Sequence, residues 1–137
     1  GLVLGWTAAP AILIALLLQA IFFGFGGLVV LGVNTMNMAL PALICAALFG
    51  RALRRTDSPR RILALGAAAG SLSVILTGAL VCLSLGASGR EFLPAAKIVI
   101  VTFLPLAVVE GAVTAATVAF LKRVAPNIIG SEVPVHG

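Results

Sequence analysis

Four apolar runs, each long enough to cross a bilayer, leave almost no residues over for another kind of fold. A spanning helix takes about 20 apolar residues at 1.5 Å rise each. Such runs lie at about Leu2–Phe23, Val33–Leu53, Ile62–Leu85 and Pro94–Leu121. In the first, Thr7 and Gln19 are the polar side chains, and Trp6 stands near one end, where an interfacial aromatic is expected. Pro10 falls in its first turn, where a missing N–H matters little. The fourth run is long and interrupted at Pro105. It predicts a kinked or tilted helix, or a short helix followed by a longer one. Charged residues make up 9% of the chain, against about 25% in soluble domains. The mean hydropathy of +1.23 also excludes disorder, which needs low hydrophobicity and high charge. The expected fold is all-α: a polytopic transmembrane helix bundle over residues 1–123, with a tail over residues 124–137.

The basic residues read first as topology signals. Arg51, Arg54, Arg55, Arg60 and Arg61 crowd the link between the second and third spans, and Lys122 and Arg123 follow the fourth. On the other side stand only Arg90 and Lys97. Positively charged loops stay in the cytoplasm. Both ends of the chain are therefore expected inside, with the links Gly24–Gly32 and Leu85–Leu93 outside. The arginine cluster anchors this topology and touches anionic lipid, or offers a docking surface to a cytoplasmic partner. The formal charge of +5 does not point to nucleic acid, because no basic patch is interleaved with aromatics.

Small residues recur at four-residue spacing: Gly66 and Gly70, Ala11 and Ala15, Ala115 and Ala119. Such rows let helix backbones approach closely in lipid, within one bundle or against another subunit. Cys45 and Cys82 lie in apolar runs without CxxC spacing and read as small buried hydrophobes. No basic region precedes the first run, so it is not expected to be a secretory signal. Opening on Gly1 at the edge of an apolar segment, the chain is expected to be a piece of a longer polypeptide.

Polar groups are costly inside such a bundle, so the few present mark candidate sites. Asn34 and Asn37 share a helix face at the outer end of the second span, after the glycine-rich "FGFGG". Pro41 has no N–H, so the carbonyl of Asn37 loses its helical partner. The two amides and that carbonyl either line a site or serve as a helix cap, with Asn34 as N-cap, plus an interhelical hydrogen bond. Glu110 is the acid well inside a span, roughly 16 Å from the inner end, where a charge costs on the order of 3 kcal/mol. It is expected to be protonated, paired outside this chain, or near water, with Thr114 in reach of a local hydrogen bond; its role is a functional group or a structural hub. No GxSxG, HExxH or P-loop pattern occurs, so no catalytic residue is assigned and ATP hydrolysis by a P-loop is excluded.

The block "LLLQAIFFGFGGLVVLGVNTMNMALPAL" (Leu16–Leu43) carries LQA, then FG.GG, then LG.N..NM. It resembles the signature region of the M-type substrate-binding subunits of cobalt and nickel energy-coupling-factor transporters, the CbiM/NikM family. "VEGAVTAATVAFLKRVAP" (Val109–Pro126) is similar to the family's GEG-type final helix and its basic exit. The resemblance covers nearly the whole chain but only the later two-thirds of a typical member. It implies four spans out of six or seven, in a bacterial cytoplasmic membrane. The implied role is outer-face capture of Co(II) or Ni(II), serving cobalamin biosynthesis in the cobalt case, with no intrinsic cofactor. The implied partners are a transmembrane coupling subunit, cytoplasmic ATPases and, for cobalt types, a small accessory membrane subunit.

Family members hold the metal through the free amino terminus, the following histidine and a further histidine in an early helix, a nitrogen set suited to Ni(II) or Co(II). None of these has a matching position here, so no residue of this chain is expected to touch the ion. Phe25 stands where many members carry a polar residue or His, and Val109 replaces the first glycine of GEG. The resemblance carries over Asn34 and Asn37 as groups that orient the binding loop, and Glu110 as an internal polar hub. A membrane subunit that only packs or stabilises a larger complex is the other reading.

Overall fold

A computed structural model describes residues 1–24, 29–125 and 129. A 3-10 turn at Gly5–Thr7 leads into helix α1 (Ala8–Phe23), followed by α2 (Leu31–Arg55) and α3 (Pro59–Ser88). A second 3-10 turn, Arg90–Phe92, leads into α4 (Leu93–Val124). All four helices are long and apolar enough to cross a membrane, and the described residues contain no strand. The chain is thus a helical, multi-pass membrane protein.

The helices outrun the apolar windows of the sequence. α3 has 30 residues and α4 has 32, about 45 and 48 Å of helix, against a hydrocarbon core of about 30 Å. The backbone ladder continues through the interface, where polar residues no longer interrupt it. Helix α4 also runs unbroken through Pro105. The alternative of two separate helices is not formed, since losing one intrahelical bond does not outweigh packing along the rest of α4. At the other end of α1, the chain leaves through Gly24 in the left-handed conformation (φ 67°), whose N–H caps the Ala20 carbonyl at 3.2 Å.

The tightest seam joins α3 to α4, and small residues make it. A Cβ placed on Gly66 would stand 2.8 Å from the Ala115 Cα, and one on Gly70 would stand 2.6 Å from the Glu110 carbonyl oxygen. From the facing helix, a Cβ on Gly111 would meet the Ala67 carbonyl at 3.0 Å. Across this contact the Ser71 hydroxyl donates to the Ala107 carbonyl at 2.8 Å. The Gly66/Gly70 and Ala115 spacing seen in the sequence therefore works inside the bundle. Ala11 and Ala15 do not, for both are exposed on α1, which packs against α2 and the preceding 3-10 turn.

The arginine-rich end is closed differently. Leu53, Ile62, Val118 and Ile129 form a buried apolar cluster, with Leu2 and Leu65 against it. Above it the Lys122 ammonium donates to the Thr56 carbonyl at 2.6 Å and lies 3.5 Å from the Asp57 carboxylate. Lys122 thus fastens the end of α4 to the α2–α3 link. Its side chain is 12% exposed while Asp57 is fully exposed, so the carbonyl bond contributes more than the screened ion pair. Replacing Lys122 with Met is expected to destabilise the subunit by about 2 kcal/mol, and Asp57→Asn by much less. Thermal unfolding of the two variants in detergent measures the difference.

Candidate functional site in the first half of the second helix

Helix α2 begins at Leu31, four residues ahead of the position expected from Asn34 as N-cap. Val30 is the N-cap, without a side-chain cap bond, and the Asn34 N–H already donates to the Val30 carbonyl at 2.9 Å. The amide side chain of Asn34 is thereby freed from capping. The apolar residues Leu31 and Val33 extend the helix backward, because a ladder bond at Asn34 leaves no orphan donor there for a cap to satisfy.

Asn37 lies about 9 Å along α2 from Leu31 and is 7% exposed. Its Nδ2 donates to the Ser84 hydroxyl of α3 at 3.3 Å. Ser84 has one proton, with two acceptors in reach: the Leu80 carbonyl at 2.9 Å and Asn37 Oδ1 at 3.4 Å. The shorter bond takes the proton, since strength falls with distance. Ser84 then accepts from Asn37, and Asn37 Oδ1 keeps an open acceptor position among the described residues. One turn on, Pro41 is fully buried and cannot donate to the carbonyl of Asn37. This stretch of α2 therefore presents two acceptors of one residue, both held by a packed helix. The glycine-rich motif residues Phe25, Gly26 and Gly27 lie outside the described residues, as does most of the tail.

Glu110 is placed elsewhere. It lines a cavity of about 560 Å³ whose α2 wall is Met38, Ala42 and Cys45 and whose α3 wall includes Gly70, Ser73 and Thr77. Asn37 faces Ser84 and is absent from that lining, so the asparagines and the acid do not form one site. Glu110 is exposed to the cavity, and no side-chain hydrogen bond or ion pair reaches it among the described residues. The anticipated bond from Thr114 is not made. The Thr114 hydroxyl stands instead in the α3–α4 seam, 2.6 Å from where a Gly70 Cβ would be. Cys45 is buried and Cys82 donates weakly to the Ala96 carbonyl at 3.6 Å. Among the described residues no group of three His, Cys, Asp or Glu stands close enough to hold a metal ion. Ser84 is the partner that the sequence did not single out. The only signal was a hydroxyl on an apolar helix.

The sequence profile described as "Cobalt uptake substrate-specific transmembrane region", CbiM, matches residues 1–128. This chain belongs to the CbiM family. A "Putative metal transport protein" of Haemophilus influenzae is 37% identical over 130 residues, covering 94% of this chain and 63% of that protein. The "Cobalt transport protein CbiM" of Geobacter sulfurreducens is 36% identical over 124 residues, 85% of this chain and 35% of that protein. The "Fused nickel transport protein NikMN" of Rhodobacter capsulatus is 44% identical over 66 residues, 46% of this chain and 19% of that protein. The chain thus spans less than two-thirds of the length of these relatives. No solved structure matches it. The profile spans all four apolar helices, in agreement with the resemblance found in the LG.N..NM and VEG blocks.

Proposed function

We propose that this chain is part of the membrane subunit that captures Co(II) or Ni(II) for an ATP-driven energy-coupling-factor importer. The family profile running over residues 1–128 carries the reading, and the names of the relatives, one cobalt and one nickel transport protein, agree with it. The four helices lie in a bacterial cytoplasmic membrane with the arginine-rich end inside and residues 124–137 as a cytoplasmic tail. The metal is cargo and is captured on the opposite side. ATP is hydrolysed on separate cytoplasmic subunits, coupled through a transmembrane partner and, for cobalt, a small accessory membrane subunit. The imported cobalt feeds cobalamin synthesis.

The direct ligands of the ion lie outside this chain. Asn37, held by Ser84, offers Oδ1 to donors of the outer turn, and the neighbouring Asn34 offers its uncommitted amide. Together they orient the loop on which the ligands sit. Glu110 lines the cavity between α2, α3 and α4 and serves as a polar hub through a partner outside this chain. Rigid tilting of the bundle against the coupling subunit then carries the ion inward, a general transporter theme.

Uptake of radioactive cobalt and nickel by cells expressing the full-length subunit with its coupling and ATPase partners tests the proposal. Accumulation of one metal is expected to need both the subunit and ATP. If neither metal enters while the complex assembles, the subunit is an assembly component and the proposal fails.

A further inference from the structure

The 3-10 turn before α1 and the last half of α2 enclose a groove of about 870 Å³. Its α2 wall rises from Leu43 through Ala46 and Ala47 to Arg51, Arg54 and Arg55, and Trp6 lines the opposite side. Leu43 to Arg55 is about 18 Å of helix, close to the length of an acyl chain lying along it. The alanines keep the wall low, so the groove is apolar at mid-membrane and cationic at the rim. Trp6 is 84% exposed and sits beside the arginines, at the depth where an indole meets the headgroup boundary.

The three guanidiniums are unspent. Arg51, Arg54 and Arg55 are exposed, and none takes part in a side-chain hydrogen bond or ion pair among the described residues. Asp57, the acid nearest in sequence, lies beside Lys122. An arginine fork matches the oxygens of a phosphate, and three positive charges above an apolar slot match one ligand class: an amphiphile with an anionic phosphate head and a long hydrocarbon tail.

We infer that this groove is a binding site for an anionic glycerophospholipid, its phosphate on Arg51 and Arg55 and one acyl chain along Leu43, Ala46 and Ala47. The site is distinct from the first half of α2 and does not depend on metal capture. A bound lipid would fasten the loosely packed α1 to α2, the one α-helix it touches among the described residues.

Native mass spectrometry of the delipidated full-length subunit, titrated with phosphatidylglycerol or with phosphatidylcholine of the same chains, tests this. The wild type is expected to hold phosphatidylglycerol selectively. A basic residue near an anionic surface contributes about fivefold in affinity, so R51Q/R55Q is expected to lose about 30-fold. R60Q/R61Q, which removes the same charge outside the groove, is expected to stay within about twofold, and R51K/R55K, which keeps the charge but not the fork, to lose less than R51Q/R55Q. Equal binding of both lipids, equal loss in R51Q/R55Q and R60Q/R61Q, or displacement by millimolar inorganic phosphate would each overturn the assignment.

Discussion

Gly70→Leu is expected to destroy the packing of α3 on α4 and leave little folded subunit in the membrane. Even a single added carbon would stand 2.6 Å from the Glu110 carbonyl oxygen and 2.6 Å from the Thr114 hydroxyl. The first obstacle is backbone, which cannot rotate aside as a side chain can. The helices must separate, and separation sacrifices the Gly66 contact to Ala115 and the Ser71 bond to Ala107 together. Lipid supplies no hydrophobic drive to push them back, so close van der Waals contact and interhelical bonds carry most of this association. Overpacking of a close contact costs about 3 kcal/mol or more in the severe cases. Ala68 lies two residues away on α3 and is exposed, so Ala68→Leu is expected to fall within about 0.5 kcal/mol of wild type. Unfolding in graded SDS, followed by circular dichroism, separates the two. Equal stability of both variants would mean that the helices stand further apart than the glycines suggest.

The same seam shows what a sequence of this kind exposes to reading and what it hides. Hydropathy located all four helices because the bilayer punishes polar residues along a whole span, and the penalty leaves a long, regular trace. It misplaced their ends by three residues at Pro59 and at Ser88, because helix hydrogen bonding continues where hydrocarbon stops. The GxxxG spacing of Gly66 and Gly70 was visible, but its partner was not: Ala11 and Ala15 repeat the pattern and remain exposed. Spacing says that a face is flat, while only the fold says what lies on it. Lys122 looked like one more basic residue at a helix exit, yet it alone of that group is turned back onto the Thr56 carbonyl. The bond of Asn37 to Ser84 crosses 47 positions, and Ser71, Ser73 and Ser88 on the same helix were equal candidates.

That bond decides how the first half of α2 is to be probed. Asn37→Leu removes the donor to Ser84 and the open Oδ1 acceptor, while leaving a side chain of similar size in a buried position. Groups that orient a metal-binding loop without touching the ion typically cost 10–100-fold in affinity when lost. The expected result in the full-length subunit is therefore a 10–100-fold rise in the concentration of Co(II) or Ni(II) needed for half-saturation, measured by equilibrium dialysis. Ser84→Ala separates the two halves of the interaction. It removes only the interhelical tether, so if Asn37 acts chiefly through its open acceptor, Ser84→Ala weakens capture by less than about fivefold. If the tether itself sets the position of Asn37, the two variants weaken capture equally and the double variant adds nothing, as expected for residues acting as a unit. Unchanged metal affinity in Asn37→Leu, with lowered stability, would assign this asparagine to helix packing alone. The loop-orienting role would then have to rest on Asn34, whose side chain is free of capping because α2 starts at Leu31.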